Sequence, residues 1–378
     1  MNKDTLVLHL FAECILVKGY LRSVIYDIKR NDYHFIPNEL YFFIEANHGK
    51  PKPQIIQMVR EDETLKEYIT FLEEHEIIVW LEYEYHNRLP PINTLWDSPF
   101  LFSSAIIDID VNSNHEYGLI ANKLDEINCK SILLRSFISI SLSNWHSILD
   151  KFRHTGVRQI EIISKFSDEY NDLNAIKDLI STNDRIKSLI LHSSDKENIA
   201  FYGESGFGLV SFLSQELNSP EDCFNLSPEY LTVNISQYIE AQSRNTFYNE
   251  KIYINNEGEI KRCSSEIKTY GHINDTELYT LTHNADFNKL SKITKDKTLI
   301  CKDCEHRYMC NYSYALQEHD NGLFYNKKEC SYNPYIGKWE GQPGYKKLEN
   351  TGVSLNQKNI TFDENLINKL NLELWTEP

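Results

Sequence analysis

The sequence predicts a multidomain α/β protein with three folded segments and a polar tail. Strand and helix patterns alternate through the middle of the chain, a smaller module of strands and helices precedes them, and four cysteines cluster towards the C-terminus. A chain of 378 residues is long enough for two or three domains of about 150 residues each. The predicted segments are 1–95, 100–240, 241–345 and the tail 346–378.

The first segment has the pattern of a small winged-helix module. LHLFAECILVKG and LRSVIYDIKR predict two strands joined at Gly19–Tyr20, and DYHFI predicts a third. Asn38 is a candidate N-cap of a first helix, and a second helix follows Pro51. A third helix covers 63–75, where apolar side chains recur at i, i+3, i+4 and i+7. IIVWLEY closes the module as a strand.

A linker with two adjacent prolines, RLPPINTLWDSP, precedes a β/α segment. Four apolar strands, SAIIDID, KSILLRS, RQIEIIS and IKSLILHS, recur at intervals of about 25–30 residues with helical stretches between them. This alternation predicts a parallel sheet, and so few units predict a partial barrel or an open sheet. YLTVNIS (230–236) predicts a further strand, and KIYINNEGEIKRC predicts a hairpin in the third segment.

Composition excludes several classes of partner. The formal charge of −16 leaves no excess of basic side chains for nucleic acid or an anionic membrane. His9 and Glu13 interrupt the N-terminal apolar run, so we expect no signal peptide, and no stretch approaches the roughly 18 apolar residues of a membrane span. We therefore expect a cytoplasmic protein, in which clustered cysteines indicate metal ligation more than disulfides.

Four of the eight cysteines form one constellation. Cys301, Cys304 and Cys310 lie within ten residues, and Cys330 follows twenty positions later. The short spacing lets two sulfurs of one turn bind the same centre, and the longer gaps bring in two more from adjoining loops. Four thiolates suit a tetrahedral zinc ion and a [4Fe–4S] cluster equally, so both stay open.

Other polar side chains have a weaker claim to a functional role. His306 is a candidate substitute ligand, and Arg262 and Lys302 are candidates for offsetting thiolate charge. His192 ends a strand in LILHSSD, which suggests a Ser–His–Asp site. Because neighbours in sequence rarely form such a triad, a polar turn at the strand end is the better interpretation.

The cysteine pattern resembles the SPASM domain of peptide-modifying radical SAM proteins. Gly258-x4-Cys263 precedes C-x2-C-x5-C and the more distant Cys330. The resemblance implies that the four-cysteine constellation holds one auxiliary cluster. The ligands of a second cluster are incomplete, because Phe247 and Tyr314 stand where two of its cysteines would be and only Cys263 is present.

The β/α segment resembles a degenerate, partial radical SAM barrel. Such a core carries CxxxCxxC just after its first strand, where three thiolates hold the cluster that binds S-adenosylmethionine. The corresponding stretch here follows AIIDID and contains no cysteine. The resemblance therefore implies the fold but no S-adenosylmethionine and no radical SAM activity.

The chain from about residue 8 to 340 resembles the SPASM-domain maturation protein of grasp-with-spasm peptide systems. This resemblance implies a precursor peptide and an ATP-grasp ligase as partners. The first segment resembles a RiPP recognition element, in which a leader peptide would pair with the edge strand 32–36 beside the helix 63–75. The candidate peptide contacts are Arg30, Tyr33, Phe35, Lys66 and Tyr68.

Together these features predict an accessory protein of ribosomal peptide maturation with no autonomous activity. It would bind the precursor leader and present the core peptide to the ligase. Two alternatives stay open, an iron–sulfur redox enzyme that modifies a peptide and a zinc-stabilised scaffold that binds no peptide. The polar tail predicts one short helix and has no functional interpretation.

Overall fold

The computed structural model describes residues 6–60, 62–203, 206–223, 228, 231–355 and 360–375. The protein is mixed α/β and divides into two compact units. We call one the cysteine unit (1–96, 226–246 and 293–378) and the other the sheet unit (97–225 and 247–292). The units do not follow the four predicted segments, because the N-terminal module and the cysteine-rich region belong to the same unit.

Residues 6–60 and 62–96 of the cysteine unit form five strands and four helices. They are β1 (Leu6–Leu10), β2 (Cys14–Lys18), β3 (Ser23–Asp27), β4 (Asp32–Ile36), α1 (Asn38–Asn47), α2 (Lys52–Val59), α3 (Glu63–Glu74), β5 (Ile78–Glu82) and α4 (Tyr83–His86). β2, β3 and β4 form an antiparallel sheet, and β1 pairs separately with β5. β4 therefore lies at an edge of the three-stranded sheet, as predicted.

Two predicted details of this part are wrong. LHLFAECILVKG is divided between β1 and β2, because the chain turns where the Cys14 N–H donates to the Phe11 carbonyl oxygen at 3.0 Å. Asn38 begins α1 but does not cap it. Its side chain accepts from Ser23 Oγ at 2.6 Å and donates to the Tyr20 carbonyl oxygen at 3.0 Å, so it braces the β2–β3 hairpin instead.

An apolar core holds these elements together. α3 contributes Leu72, which is fully buried, and Tyr68 and Ile69 pack against the same core. Burying an aliphatic side chain of this size contributes about 1.5–3 kcal/mol. The other large buried members are Leu8, Ile25, Leu40, Ile44, Ile55 and Ile77.

The sheet unit is built on an eight-stranded, mostly parallel sheet. Its elements are β6 (Ser104–Ile109), α5 (Tyr117–Glu126), β7 (Ser131–Ser136), α6 (Leu142–Lys151), β8 (Gln159–Lys165), α7 (Leu173–Ser181), β9 (Ile186–His192), β10 (Asn198–Phe201), β11 (Leu209–Phe212), β12 (Lys251–Ile254) and β13 (Ile260–Lys261). The strand order is β10–β11–β9–β8–β7–β6–β12–β13. The four predicted strands are β6 to β9. In the part of the chain described, β10 and β13 end the sheet, so it is not a closed barrel.

The structure also corrects two predictions beyond these strands. The predicted hairpin forms β12 and β13, but β12 lies parallel to β6 and so belongs to the sheet unit. The predicted strand 230–236 is not formed, since residues 231–234 are a loop that leads into α8 (Ile235–Ser243); Tyr230 lies outside the described residues. Asn234 caps α8 by accepting the Gln237 N–H at 2.8 Å, and this local bond outweighs the strand propensity.

The cysteine-rich region consists of 3-10 turns, short hairpins and a terminal helix. Its elements are β14 (Leu316–Glu318), β15 (Phe324–Asn326), β16 (Tyr332–Asn333), β17 (Lys338–Trp339), β18 (Val353–Leu355), β19 (Ile360–Phe362) and α9 (Glu364–Trp375). α9 is the helix predicted in the polar tail, and the Trp375 indole N–H donates to the Ile336 carbonyl oxygen at 3.0 Å. Among the described helices, none is long and apolar enough to cross a membrane.

Gly19 lets the β2–β3 hairpin approach the cysteine-rich region. A β-carbon at this position would lie 2.4 Å from the Arg22 carbonyl oxygen and 2.9 Å from Glu305 Cβ. The same turn is joined to the region by the Tyr20 N–H, which donates to the Asp303 carbonyl oxygen at 2.7 Å. A side chain at position 19 would therefore force the hairpin and the region apart.

We expect Gly19→Ala to lower the free energy of unfolding by about 1–3 kcal/mol, the usual cost of overpacking. Gly118→Ala in α5 is the matched control, because its added β-carbon would meet only Glu116 Oε1, at 3.4 Å. That change should be neutral or stabilise by up to about 1 kcal/mol, since glycine disfavours a helix by this amount. Urea denaturation measures both variants, and equal stabilities would contradict the close approach at Gly19.

Candidate metal centre and peptide-binding edge

Four cysteines that are distant in sequence line one cavity of the cysteine unit. Cys301 begins a 3-10 turn that ends before Cys304, Cys310 follows in a loop, and Cys330 precedes β16. The cavity has a volume of ≈ 40 Å³, whereas one water needs roughly 10–15 Å³ on the same measure. The structure thus brings together all four residues predicted as metal ligands.

Three of the four sulfurs, those of Cys301, Cys310 and Cys330, have an N–H donor. Backbone N–H groups two residues downstream donate to Cys310 Sγ and Cys330 Sγ, both at 3.4 Å. The side-chain amide of Asn326 donates to Cys301 Sγ at 3.5 Å. Such donors favour the thiolate form, which is the form that binds a metal.

Burial acts in the opposite direction on three of the thiols and favours their protonated form. It raises the pKa of Cys330 to about 12 and also raises the pKa values of Cys301 and Cys304. A cation at the centre would reverse this balance, because a coordinating thiol is deprotonated outright. Loading the site would therefore release protons.

A buried lysine that sequence reasoning missed also lines the cavity. The side chain of Lys295 is 3% exposed, and its ammonium group donates to the Tyr312 carbonyl oxygen. Burial opposes the charge of Lys295, but the negative charge that the four sulfurs can carry outweighs burial and raises its pKa. Lys295 is thus the cation placed to offset thiolate charge. Its position 6 residues before Cys301 gave no signal of this role.

The two basic residues predicted for that role have other partners. Lys302 Nζ donates to Asp303 Oδ1 at 3.3 Å. Arg262 belongs to the sheet unit and pairs with Glu266. Neither residue lines the four-cysteine cavity, so this prediction was wrong.

His306, the predicted substitute ligand, lines the cavity as well. Its side chain is 2% exposed and packs among aromatic rings, with the Tyr332 ring centre 4.7 Å away. Neither ring nitrogen has a hydrogen-bond partner among the described residues. Burial lowers the pKa of His306 to about 4 in spite of the nearby Glu305 carboxylate. A neutral imidazole with free nitrogens is therefore available to a group bound in the cavity.

The spacing of the sulfurs can be compared with that expected for a zinc ion and for a [4Fe–4S] cluster. Thiolates on one tetrahedral zinc ion lie about 3.8 Å apart, given Zn–S bonds of about 2.3 Å. Among the described residues, only the trio His9, His48 and His86 has three donor atoms within 4.8 Å of one another. No three of the four sulfurs meet that distance. A four-iron cluster fits wider spacing better, because each thiolate binds a different iron atom.

Glu305 ties the wall of this cavity to the N-terminal sheet. Its side chain is fully buried, and Oε1 accepts from Arg22 Nε at 2.9 Å and from Tyr332 Oη at 2.5 Å. Its carbonyl oxygen accepts from Tyr26 Oη at 2.5 Å. Because Arg22 and Tyr26 belong to the β2–β3 hairpin, the neighbour of Cys304 is fixed by that hairpin.

The residues of the incomplete second cluster have a different setting. Cys263 and Phe247 line the same cavity of ≈ 90 Å³ in the sheet unit. Cys263 is buried, and its sulfur lies 3.2 Å from Ser265 Oγ. One thiol beside an aromatic ring offers no set of ligands for a cluster.

A buried ion pair occupies the end of the first parallel strand. Asp108 accepts from Arg135 Nε at 2.6 Å and from Nη2 at 2.9 Å, and Tyr253 Oη also donates to it. Asp108 and Arg135 are 1% and 4% exposed. The three side chains thus meet one another's hydrogen-bonding needs at the end of the strand after which the resemblance places the CxxxCxxC cluster. The loop that follows contains no cysteine.

The edge strand β4 presents different side chains on its two faces. His34 faces α3, with its ring centre 5.8 Å from that of Phe71 and 4.9 Å from that of His75. Tyr33 and Phe35 lie on the opposite face, because side chains alternate along a strand. Sequence reasoning missed His34, although this alternation could have indicated it.

The other face of β4 borders the cysteine-rich region. Phe35 is 41% exposed, and the Arg22 guanidinium lies 3.5 Å from its ring centre. The His306 ring centre lies 5.5 Å from that of Phe35 and 6.1 Å from that of Tyr33. This face of the edge strand is therefore next to a residue that lines the four-cysteine cavity.

The remaining predicted peptide contacts do not converge on one surface. Tyr68 is half-buried in α3, on the stripe that also carries Phe71. Lys66 pairs with Glu63 at 3.0 Å on the exposed side of α3. Arg30 is held by Asp27 at 2.6 Å and by Glu76.

His192 is a structural residue of the sheet unit. Its side chain is fully buried, Nε2 lies 3.2 Å from the Ser136 carbonyl oxygen, and Nδ1 lies 3.0 Å from Ser193 Oγ. The Leu217 N–H also donates to Nδ1, at 3.4 Å. Both ring nitrogens have hydrogen-bond partners, which is consistent with the polar turn predicted at this strand end.

Comparison with known proteins gives no family. The sequence matches no protein-family model and no curated protein. Crystal structures of Streptococcus suis SuiB match 81% of this chain and 95% of SuiB, one bound to S-adenosylmethionine (9% identity, TM-score 0.28) and one bound to the precursor peptide SuiA (8% identity, TM-score 0.27). Similarity this low carries no argument about fold or function, so the proposals below depend on the residues of this chain.

We expect the four cysteines to hold one metal centre. Cys330→Ala should lower the content of bound metal, because the loss of one of the four thiolates weakens the hold on the metal centre. Cys129→Ala is the matched control, since Cys129 is a buried thiol of the sheet unit outside this cavity. Elemental analysis of protein purified without oxygen measures both variants, and full metal content in Cys330→Ala would contradict the assignment.

Proposed function

We propose that this chain is an accessory protein of ribosomal peptide maturation. Its N-terminal module binds the leader of a precursor peptide as an added strand beside β4. The observation that carries the proposal is the open edge of β4, which has no strand on its outer side among the described residues and displays the exposed ring of Phe35.

Strand addition suits this edge for a physical reason. An edge strand offers backbone N–H and C=O groups to an extended peptide, and alternate peptide side chains then contact the two faces. On one face they would meet His34 and the stripe of α3, and on the other Phe35 and Arg22. The leader would thus be recognised by the module and by the border of the cysteine-rich region together.

We also propose that the four-cysteine site holds a [4Fe–4S] cluster. Support comes from the wide spacing of the sulfurs and from an N–H donor at three of them. When bound, such a cluster supplies a one-electron centre or a rigid structural brace. The chain's own contribution is a buried pocket in which Lys295 offsets the negative charge of the thiolates.

An ATP-grasp ligase would supply the chemistry in this proposal, and this chain would deliver the core peptide to it. Support for the ligase comes from the sequence resemblance alone. The absence of CxxxCxxC after β6 supports a role without radical SAM activity. A second candidate is an iron–sulfur redox enzyme acting on the peptide, which the sulfur spacing favours over the zinc-stabilised scaffold.

Phe35→Ala tests leader binding in the full chain. We expect it to weaken binding of the precursor leader peptide by about tenfold, equivalent to ~1.4 kcal/mol, because exposed aromatic anchors often contribute this much. Phe42→Ala is the matched control, since Phe42 is a similarly exposed ring on α1 that also has a cation over it, Lys18 at 4.6 Å. Isothermal titration calorimetry measures both.

Two results would contradict these proposals separately. If the unmodified protein binds no leader, or if both variants bind alike, β4 is not the recognition edge. If the purified protein holds one zinc ion and no iron or sulfide, the cluster and the redox candidate are both excluded. A mass change in the peptide without the ligase would favour the redox candidate.

A further inference from the structure

Three histidines converge in the N-terminal module, away from any residue assigned above. His9 lies in β1, His48 directly follows α1, and His86 ends α4. Their ring centres are 5.3 Å (His9–His48), 5.0 Å (His9–His86) and 4.8 Å (His48–His86) apart. One nitrogen of each ring lies within 4.8 Å of the other two.

The hydrogen bonds inside this cluster leave room for an ion. His9 Nδ1 and His86 Nδ1 are 2.9 Å apart, so one proton is shared between two basic nitrogens. His48 Nδ1 accepts the Leu10 N–H at 3.1 Å, and a lone pair rather than a proton therefore faces β1. A metal ion could take the place of the shared proton and compete for that lone pair. The His48 ring is exposed and can turn to follow it.

Burial and the neighbouring imidazoles disfavour a charge on the His9 ring. His9 is 5% exposed, and burial with its two imidazole neighbours lowers its pKa to about 4. Gly49 adopts a positive φ of 79°, and a β-carbon there would lie 3.1 Å from His86 Nε2. The turn after α1 therefore needs glycine at position 49, because the backbone φ is positive there and the His86 ring packs against it.

We propose that His9, His48 and His86 form a binding site for a divalent transition-metal ion of the Zn²⁺ class. Neutral imidazole is the ligand type that zinc, copper and nickel ions prefer among nitrogen donors. Three histidines leave a fourth position for water, which is the donor set of open zinc sites. The bound ion would join β1, the end of α1 and α4, and so fix the chain just before its proline-containing linker.

Zinc titration of the full chain against a colorimetric chelator tests this site. We expect one equivalent of zinc beyond the metal of the four-cysteine centre. His48→Ala and His86→Ala should each lower the affinity of the three-histidine site for zinc. The decrease should exceed the ~10–100-fold that the loss of an outer-shell partner costs. His154→Ala is the matched control, because His154 is an exposed histidine of the sheet unit.

The cysteine variant separates the two sites. Cys330→Ala should lower the metal content of the four-cysteine centre and keep the histidine-bound zinc. Circular dichroism checks that each variant is folded. If His86→Ala is unfolded, His48→Ala alone tests the site, because the His48 side chain is exposed and its removal should not disturb the fold. An unchanged zinc affinity in His48→Ala, or no extra equivalent in the unmodified protein, would overturn the proposal.

Discussion

The buried carboxylate of Glu305 joins the N-terminal sheet to the cysteine-rich region, and the candidate centre depends on it. It has no exposed surface, and it accepts from Arg22 on one side and from Tyr332 on the other. Removing one partner of such a buried pair typically costs about 3–5 kcal/mol, because the other charge is left without compensation. The pair thus fixes how Cys304 is presented to the cavity.

The chemistry of the cavity follows from the burial of the side chains that line it. Burial makes thiolates costly, so the metal-free site favours neutral sulfur, whereas the N–H donors and Lys295 prepare it for negative charge. Binding of a cation shifts this balance towards the thiolate form. The same burial leaves the His306 ring without a hydrogen-bond partner among the described residues, although the ring lines the cavity and contacts β4.

The sequence was most informative where local pattern and tertiary structure agree. The strands β6 to β9 and the helix α3 follow directly from periodicity, and the four cysteines from their spacing. Prediction from sequence failed where contacts between residues far apart in the chain determine the local structure. Asn38 resembles a cap but bonds to Ser23 and Tyr20, and KIYI belongs to the parallel sheet because it pairs with β6. Lys295 gave no signal, because only the fold carries it into the cavity.

Amide hydrogen exchange before and after metal removal tests most directly whether the sheet of β2, β3 and β4 and the four-cysteine site are one unit. The measurement compares protein as purified with protein stripped by a chelator under reducing conditions. Our account predicts faster exchange after stripping in residues 301–310 and also in the hairpin 14–27, with β7 to β9 unchanged. Faster exchange confined to 301–310, with the hairpin as protected as before, would contradict it.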